Sequence, residues 1–162
     1  MTLTWTSLHH SDVDGRAMHD LLRLRHQVFV VEQECPDYVD IDGLDVTGET
    51  HHVLGLAPEP DGRVVATARV LAPGTAGPRA RIGRVVIDPD HRGGGSGHAL
   101  MREALAVCTR EWPDAEVLLS AQAHLADYYG RHGFAPVGET YLEDDIPHVD
   151  MVRPAGAGAG PA

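Results

Sequence analysis

The apolar positions of this chain change their spacing several times, and each change marks an element. Residues 3–8 alternate apolar with polar and predict a first strand. Met18, Leu21, Leu22, Val28 and Phe29 then recur at helical spacing, with Arg25 the one polar exception. Ser11, with Asp14 three residues on, predicts the cap of that helix. After Glu34-Cys35-Pro36 comes an acidic loop, DYVDIDGLDVTGE. Strands are predicted at 51–56, 64–71 and 80–87, the first two joined in a hairpin through Asp61-Gly62. Leu100, Ala104, Leu105, Val107, Cys108 and Trp112 then mark one face of a helix over 96–112, stopped by Pro113. A short apolar strand at 116–121, a helix at 125–132 ended by Gly133, and strands at 135–141 and 149–153 complete the order. That order predicts an α/β (α+β) fold, with helices covering a mixed, largely antiparallel central sheet.

At 162 residues the chain suits one domain, expected over 1–153, and the small-residue tail PAGAGAGPA at 154–162 reads as flexible. There is no apolar run long enough to span a bilayer and no basic-plus-apolar leader, so a cytoplasmic protein without a membrane partner is expected. The formal net charge of -11 repels phosphate backbones, which argues against a nucleic-acid partner and suits a cationic substrate such as an amine. Cys35 and Cys108 stand far apart and are expected to be reduced.

The most informative segment is RIGRVVIDPDHRGGGSGHALMREAL: a strand, a glycine-rich turn and a helix. Glycines at 93, 94, 95 and 97 remove β-carbons, so a ligand can approach the backbone. The free amides that open the next helix favour an anion. The turn is not a Walker loop, since no lysine is present, and GxGxxG fails because His98, Ala99 and Leu100 follow Gly97. Adjacent pairs His9-His10 and His51-His52 alternate direction on a strand and make poor chelates, so no metal is expected. Asp40, Asp42, Gly43 and Glu49 fall at calcium-loop spacing, but Tyr38 occupies the first ligand position.

The string Arg92-x-x-Gly95-x-Gly97, after a strand ending Val-x-Asp-Pro, resembles the cofactor turn of the GNAT (GCN5-related N-acetyltransferase) superfamily. LRHQVFVVEQECPDYVDIDGLD, HHVLGL, LLSAQAHLADYYGRHGF and EDDIPHVDM extend the likeness to its ElaA-like branch, over most of the chain. The resemblance implies a sheet of six to seven strands flanked by about four helices. It implies acetyl-CoA (coenzyme A) as co-substrate, a small-molecule or peptide amine as acceptor, and it allows a homodimer. Carried over, the pantetheine arm pairs with the backbone of Val85, Val86 and Ile87. The pyrophosphate lies on the amides of Arg92, Gly93, Gly94, Gly95, Ser96 and Gly97, reaching His98. Tyr129, four residues before the Gly of Gly133-Phe134, takes the place of the acid that protonates the leaving thiolate, and Tyr128 is its neighbour. His124 stands where many relatives have an asparagine on the cofactor arm.

A charged amine must lose a proton before it attacks, so a base is expected. Glu32 and His148 are the leading candidates; His51, His52 and Glu139 are the others. Two further readings share the fold: an acyl-homoserine-lactone-type synthase, suggested by Arg25-x-x-Val28-Phe29, and a non-catalytic acyl-CoA-binding sensor.

Overall fold

The computed structural model describes residues 2–158. Seven strands form one sheet: β1 (Thr4–His9), β2 (His51–Leu56), β3 (Val64–Leu71), β4 (Ala80–Ile87), β5 (Val117–Gln122), β6 (Ala135–Glu143) and β7 (Ile146–Arg153), in the order β1-β2-β3-β4-β5-β7-β6. Every neighbouring pair is antiparallel except β4 with β5. Parallel strands need a long crossover, and α2 (Ser96–Glu111) supplies it. The other helices are α1 (Gly15–Arg25) and the short α3 (Ala126–Gly130).

β3 reads VVATARVL and is buried at all eight positions, as a strand covered on both faces should be. The pleat sorts its neighbours. Val53 and Val65 join Leu100, Met101 and Ala104 of α2 in the main core, whereas Leu54 and Val64 meet Leu21 of α1. Adjacent residues on a strand point to opposite faces, so α2 and α1 cover opposite sides of the sheet.

The strand spans and α2 follow the sequence pattern closely; the differences have local causes. The α1 cap is Asp14, whose carboxylate accepts from the Ala17 amide at 2.8 Å, and not Ser11. The His9 imidazole takes up the Ser11 amide instead, and Ser11 sits in a separate 3-10 turn. Beyond Arg25 the helix widens into π-type turns over His26–Glu32, which carries the chain on without a second helix. β6 and β7 run closer together than the pattern implied, because Asp144 and Asp145 make a two-residue turn with φ of 48° and 61°. Positive φ at both central positions gives the twist that lets antiparallel strands meet tightly. Of the expected flexible tail, residues 154–158 fold back so that Arg153 donates to the Ala157 and Gly158 carbonyls; residues 159–162 lie outside the described residues. Both cysteines are free, and burial pushes the Cys108 thiol up to about 12.

The acidic loop has a structural role that the calcium spacing obscured. Arg25, 1% exposed, bonds Asp40 at 2.8 Å and Asp45 at 2.6 Å. Arg69 bonds Asp42 at 2.8 Å and Asp45 at 3.2 Å, and Arg84 sits 2.9 Å from Asp40 and 3.2 Å from Asp42. The bonds from Arg69 hold the Asp42 carboxyl well below the usual carboxylate range. Burial alone would raise Asp45, but the guanidinium of Arg25 and the charge of Arg69 outweigh it and lower it. Three arginines on α1, β3 and β4 thus clamp the loop onto the sheet.

Candidate functional site

The site begins where the ladder fails. β4 and β5 pair only through Ala80 with Val117 and Arg81 with Leu118. Beyond that they part, and a cleft of about 700 Å³ opens between them. A bulge in β4 coincides with the parting: its register against β3 shifts between Thr67 and Arg69, and Arg84 takes φ 52°. A bulge bends the strand that carries it. A non-glycine residue in this conformation costs about 1–3 kcal/mol and persists only when its surroundings hold it. Here Asp40 and Asp42 hold it. The acidic loop therefore helps set the direction of Val85, Val86 and Ile87, which line the cleft.

At one end of the cleft stands the glycine turn. Gly93, Gly94 and Gly95 have φ of 86°, 58° and 83°, a run of left-handed residues that side chains would resist. The turn delivers Gly95 as the N-cap of α2 with no side chain capping the helix. Ser96 Oγ folds back within the turn, 2.9 Å from the Gly93 carbonyl. Among the described residues, the amides of Gly97 and His98 find no acceptor, so the positive end of α2 faces outward. Gly97 has ordinary φ, but a β-carbon there would lie 3.0 Å from the Tyr128 hydroxyl. Its lack of a side chain makes room for that tyrosine.

The sequence candidates divide into those the cleft gathers and those it does not. Tyr128, Tyr129, Glu32, Arg92 and His148 all line it. Tyr129 is 9% exposed, packs edge-on against Tyr128 and Phe134, and burial pushes its hydroxyl up to about 12. Burial also raises Tyr128, whose hydroxyl points at the start of α2. His148 lies on β7 opposite Gln122 of β5 and Tyr141 of β6. Its Nδ1 donates to the Ile146 carbonyl at 2.7 Å, which leaves Nε2 without a hydrogen-bond partner among the described residues. Glu143 stands 3.7 Å from that nitrogen.

Glu32 does face the cleft, but it is forked onto Arg92 at 2.7 and 2.8 Å. That bond lowers the Glu32 carboxyl, which makes it a weaker proton acceptor. Arg92 also donates to the Ile87 carbonyl at 3.0 Å, tying the turn to the end of β4. His124 is exposed and outside the cleft lining, where Gln122 and Leu125 stand instead, because its 3-10 turn (Ala123–Leu125) points it to solvent. His98 is not among the cleft-lining residues; its ring packs beside Tyr128, centroids 4.9 Å apart, with its Nδ1 2.8 Å from His132 Nε2. His51 and His52 are buried and bonded to backbone carbonyls of Glu49 and Asp45, away from the cleft; exposed Glu139 does not line it either.

Tyr38, Arg81 and Ser120 also line the cleft, and sequence reasoning gave none of them a catalytic or binding role; Glu143 of the acidic turn joins them. Arg81 and Ser120 carried only their alternation on β4 and β5 as a signal. A separate hollow of about 950 Å³ lies outside α2, bounded by Gly94, Gly95, Arg102 and Arg131. It lacks the parted strands and the tyrosines that line the cleft.

Comparison with known proteins bears on the family and the fold. A family model described as an acetyltransferase (GNAT) domain matches residues 47–154. The chain is 46% identical over 151 residues to Protein ElaA of Escherichia coli (strain K12), covering 93% of this chain and 96% of that protein. The crystal structure of an acyl-CoA N-acyltransferase from Pseudomonas aeruginosa superposes with a TM-score of 0.88 at 50% identity, over 94% of this chain and 99% of that one. A CoA-dependent acyl-homoserine lactone synthase, BjaI, shares the fold alone, with a TM-score of 0.76 at 18% identity over 96% of this chain and 84% of that one.

Proposed function

Because the chain belongs to the GNAT acetyltransferase family, in its ElaA-like branch, and is an acyltransferase, we propose that it moves an acetyl group from acetyl-CoA directly to a primary amine. The observation that carries this reading is the parting of β4 from β5 beside an uncapped, glycine-led helix. The parted strand offers unpaired backbone to an amide-bearing arm. The helix end offers amides to a pyrophosphate. One ligand with an extended amide chain and a diphosphate satisfies both.

In this reading the pantetheine arm lies along Val85, Val86 and Ile87, and the pyrophosphate on Gly93 to Gly97. A β4 amide near Val86 takes the oxyanion that forms when the amine attacks. His148 Nε2 takes a proton from the incoming ammonium. Tyr129 holds its proton at neutral pH and gives it to the departing sulfur. A hydroxyl near 12 is a poor match for an aqueous thiolate near 8.5. Inside the cleft the same burial raises the thiolate's proton affinity, which narrows the gap.

The test is release of free thiol from acetyl-CoA across a panel of amines, with Tyr129→Phe beside the native chain. Turnover should fall about 100-fold, the usual scale for a positioned acid, with acetyl-CoA affinity nearly unchanged. Since the acid is lost only as pH rises through its raised value, the native rate should show no tyrosine limb below about pH 11. Equal turnover by Tyr129→Phe, with chemistry shown to be rate-limiting, removes the tyrosine from this role.

A further inference from the structure

The arginines that line the cleft are not equivalent. Arg69, Arg84 and Arg92 are each bonded to carboxylates: Asp42 and Asp45, Asp40 and Asp42, and Glu32. Arg81 has no carboxylate partner among the described residues. Its Nη1 donates to the Ala76 carbonyl at 3.2 Å, and its Nη2 lies 3.5 Å from Ser120 Oγ. Ser120 Oγ accepts from Arg81 while donating to Asp150 at 2.8 Å, and an uncharged hydroxyl leaves the guanidinium charge unbalanced. The guanidinium is half-buried, and donors left over in a cleft call for an acceptor.

A matching surplus of negative charge stands elsewhere in the cleft lining, at the β6–β7 turn. Glu143 and Asp144 line the cleft without an arginine partner among the described residues. Asp144 and Asp145 both hold φ above zero at the tip of the β6–β7 turn. Asp is one of the few residues that accept this conformation, and the turn sets two carboxylates side by side at the tip. An approaching cation would relieve their repulsion.

The sheet register sets the span between these charges. The Arg81 head reaches the level of Ser120, and His148 pairs at the level of Gln122, two residues farther along β5. Two strand residues cover about 6.6 Å along β5, and the step across from β5 to β7 adds roughly 4.8 Å, so the two levels stand about 8 Å apart. A carboxylate seated on Arg81 and an amine seated on His148 Nε2, each at hydrogen-bond distance, would be separated by the one or two carbons of an amino acid.

We propose that the acceptor is an amino-acid-type zwitterion, its carboxylate taken by Arg81 and its ammonium drawn in by Glu143 and Asp144 to His148. This rests on the acyl-transfer reading above and narrows its acceptor. A guanidinium that can fork onto a carboxylate gives orientation as well as attraction. The step balances: the ammonium gives one proton to His148, and the C–N bond forms as the C–S bond breaks. The sulfur takes the Tyr129 proton, the second nitrogen proton restores Tyr129 through solvent, and His148 releases its own. The products are an N-acetyl amino acid, free thiol and one proton.

The experiment uses acetyl-CoA with matched acceptors: glycine, phenylalanine and glutamate, their carboxamides, and the decarboxylated amines. Native protein should prefer an acid over its amide by about tenfold or more in kcat/KM, since a site built for a charged group rejects the analogue lacking it. Arg81→Gln should bring that ratio close to one, mainly through KM, and Arg81→Lys should restore part of it. Melting temperature and acetyl-CoA titration establish that the variants are folded. Amides or simple amines used as well as acids by the native protein overturn the proposal, and so does a preference that survives Arg81→Gln. If acetyl-CoA binds and no amine of any charge is acetylated, the acyl-transfer reading itself falls, and this one with it.

Discussion

The two ends of the cleft are made of different material. The end we propose for the donor is backbone: a run of left-handed glycines, the first amides of α2, and the freed edge of β4. The end we propose for the acceptor is side chains from separated segments: Tyr38 from the clamped loop, Arg81 from β4, Ser120 from β5, and Glu143 and His148 from the last hairpin. A backbone site tolerates most changes of neighbouring side chain and fails only when its geometry is filled. A side-chain site can be retuned residue by residue while the sheet beneath it stays the same. One scaffold can therefore keep its donor and change its acceptor.

The contrast can be broken from either end. The largest effect should come from Asp45→Asn, which leaves Arg25 and Arg69 facing a neutral group. Breaking a buried pair in this way costs about 3–5 kcal/mol, read by urea or thermal unfolding. The loss should be greatest at neutral pH. Asp45 is lowered in the folded chain, so its contribution is present above the ordinary aspartate range and fades as pH falls through it. A stability change near zero would mean that the loop clamp does not hold the acceptor wall. Next comes Gly95→Glu, which puts a side chain and a negative charge where φ is 83°. Acetyl-CoA affinity should drop about 100-fold, roughly 2.7 kcal/mol by calorimetry. Unchanged affinity would move the phosphates off the turn. The smallest effect belongs to Glu32→Gln. The pair with Arg92 is about 40% exposed on both sides, so stability should change by less than about 1 kcal/mol and turnover by less than about threefold. A loss near 100-fold would return Glu32 to the role of base in place of His148.

The same contrast explains what the sequence could reveal. Strand and helix periods placed β2, β3 and β4 and nearly all of α2, because each side of those elements meets a distinct environment. The glycine turn was legible because a conformation open only to glycine leaves its mark in the residues themselves. Arg81 was not legible. It differs from Arg69 and Arg84 only in lacking a carboxylate, and that depends on where residues 40–45 fold. Glu32 shows the same limit: it lines the cleft, but nothing local revealed that Arg92, 60 positions on, would be bonded to it. His124 misled through register, because a one-residue difference on a 3-10 turn exchanged it for Leu125.

The parted strands have one more consequence. A sheet that stops pairing partway along β4 and β5 is an incomplete object, and in the proposed reading an extended amide chain laid into the gap would finish it. Donor binding would then be a continuation of folding, and the two would share one free energy. At a donor concentration 100 times its Kd, mass action would add about 2.7 kcal/mol to the stability of the chain. How long this protein lasts in a cell would follow the size of the acyl-CoA pool.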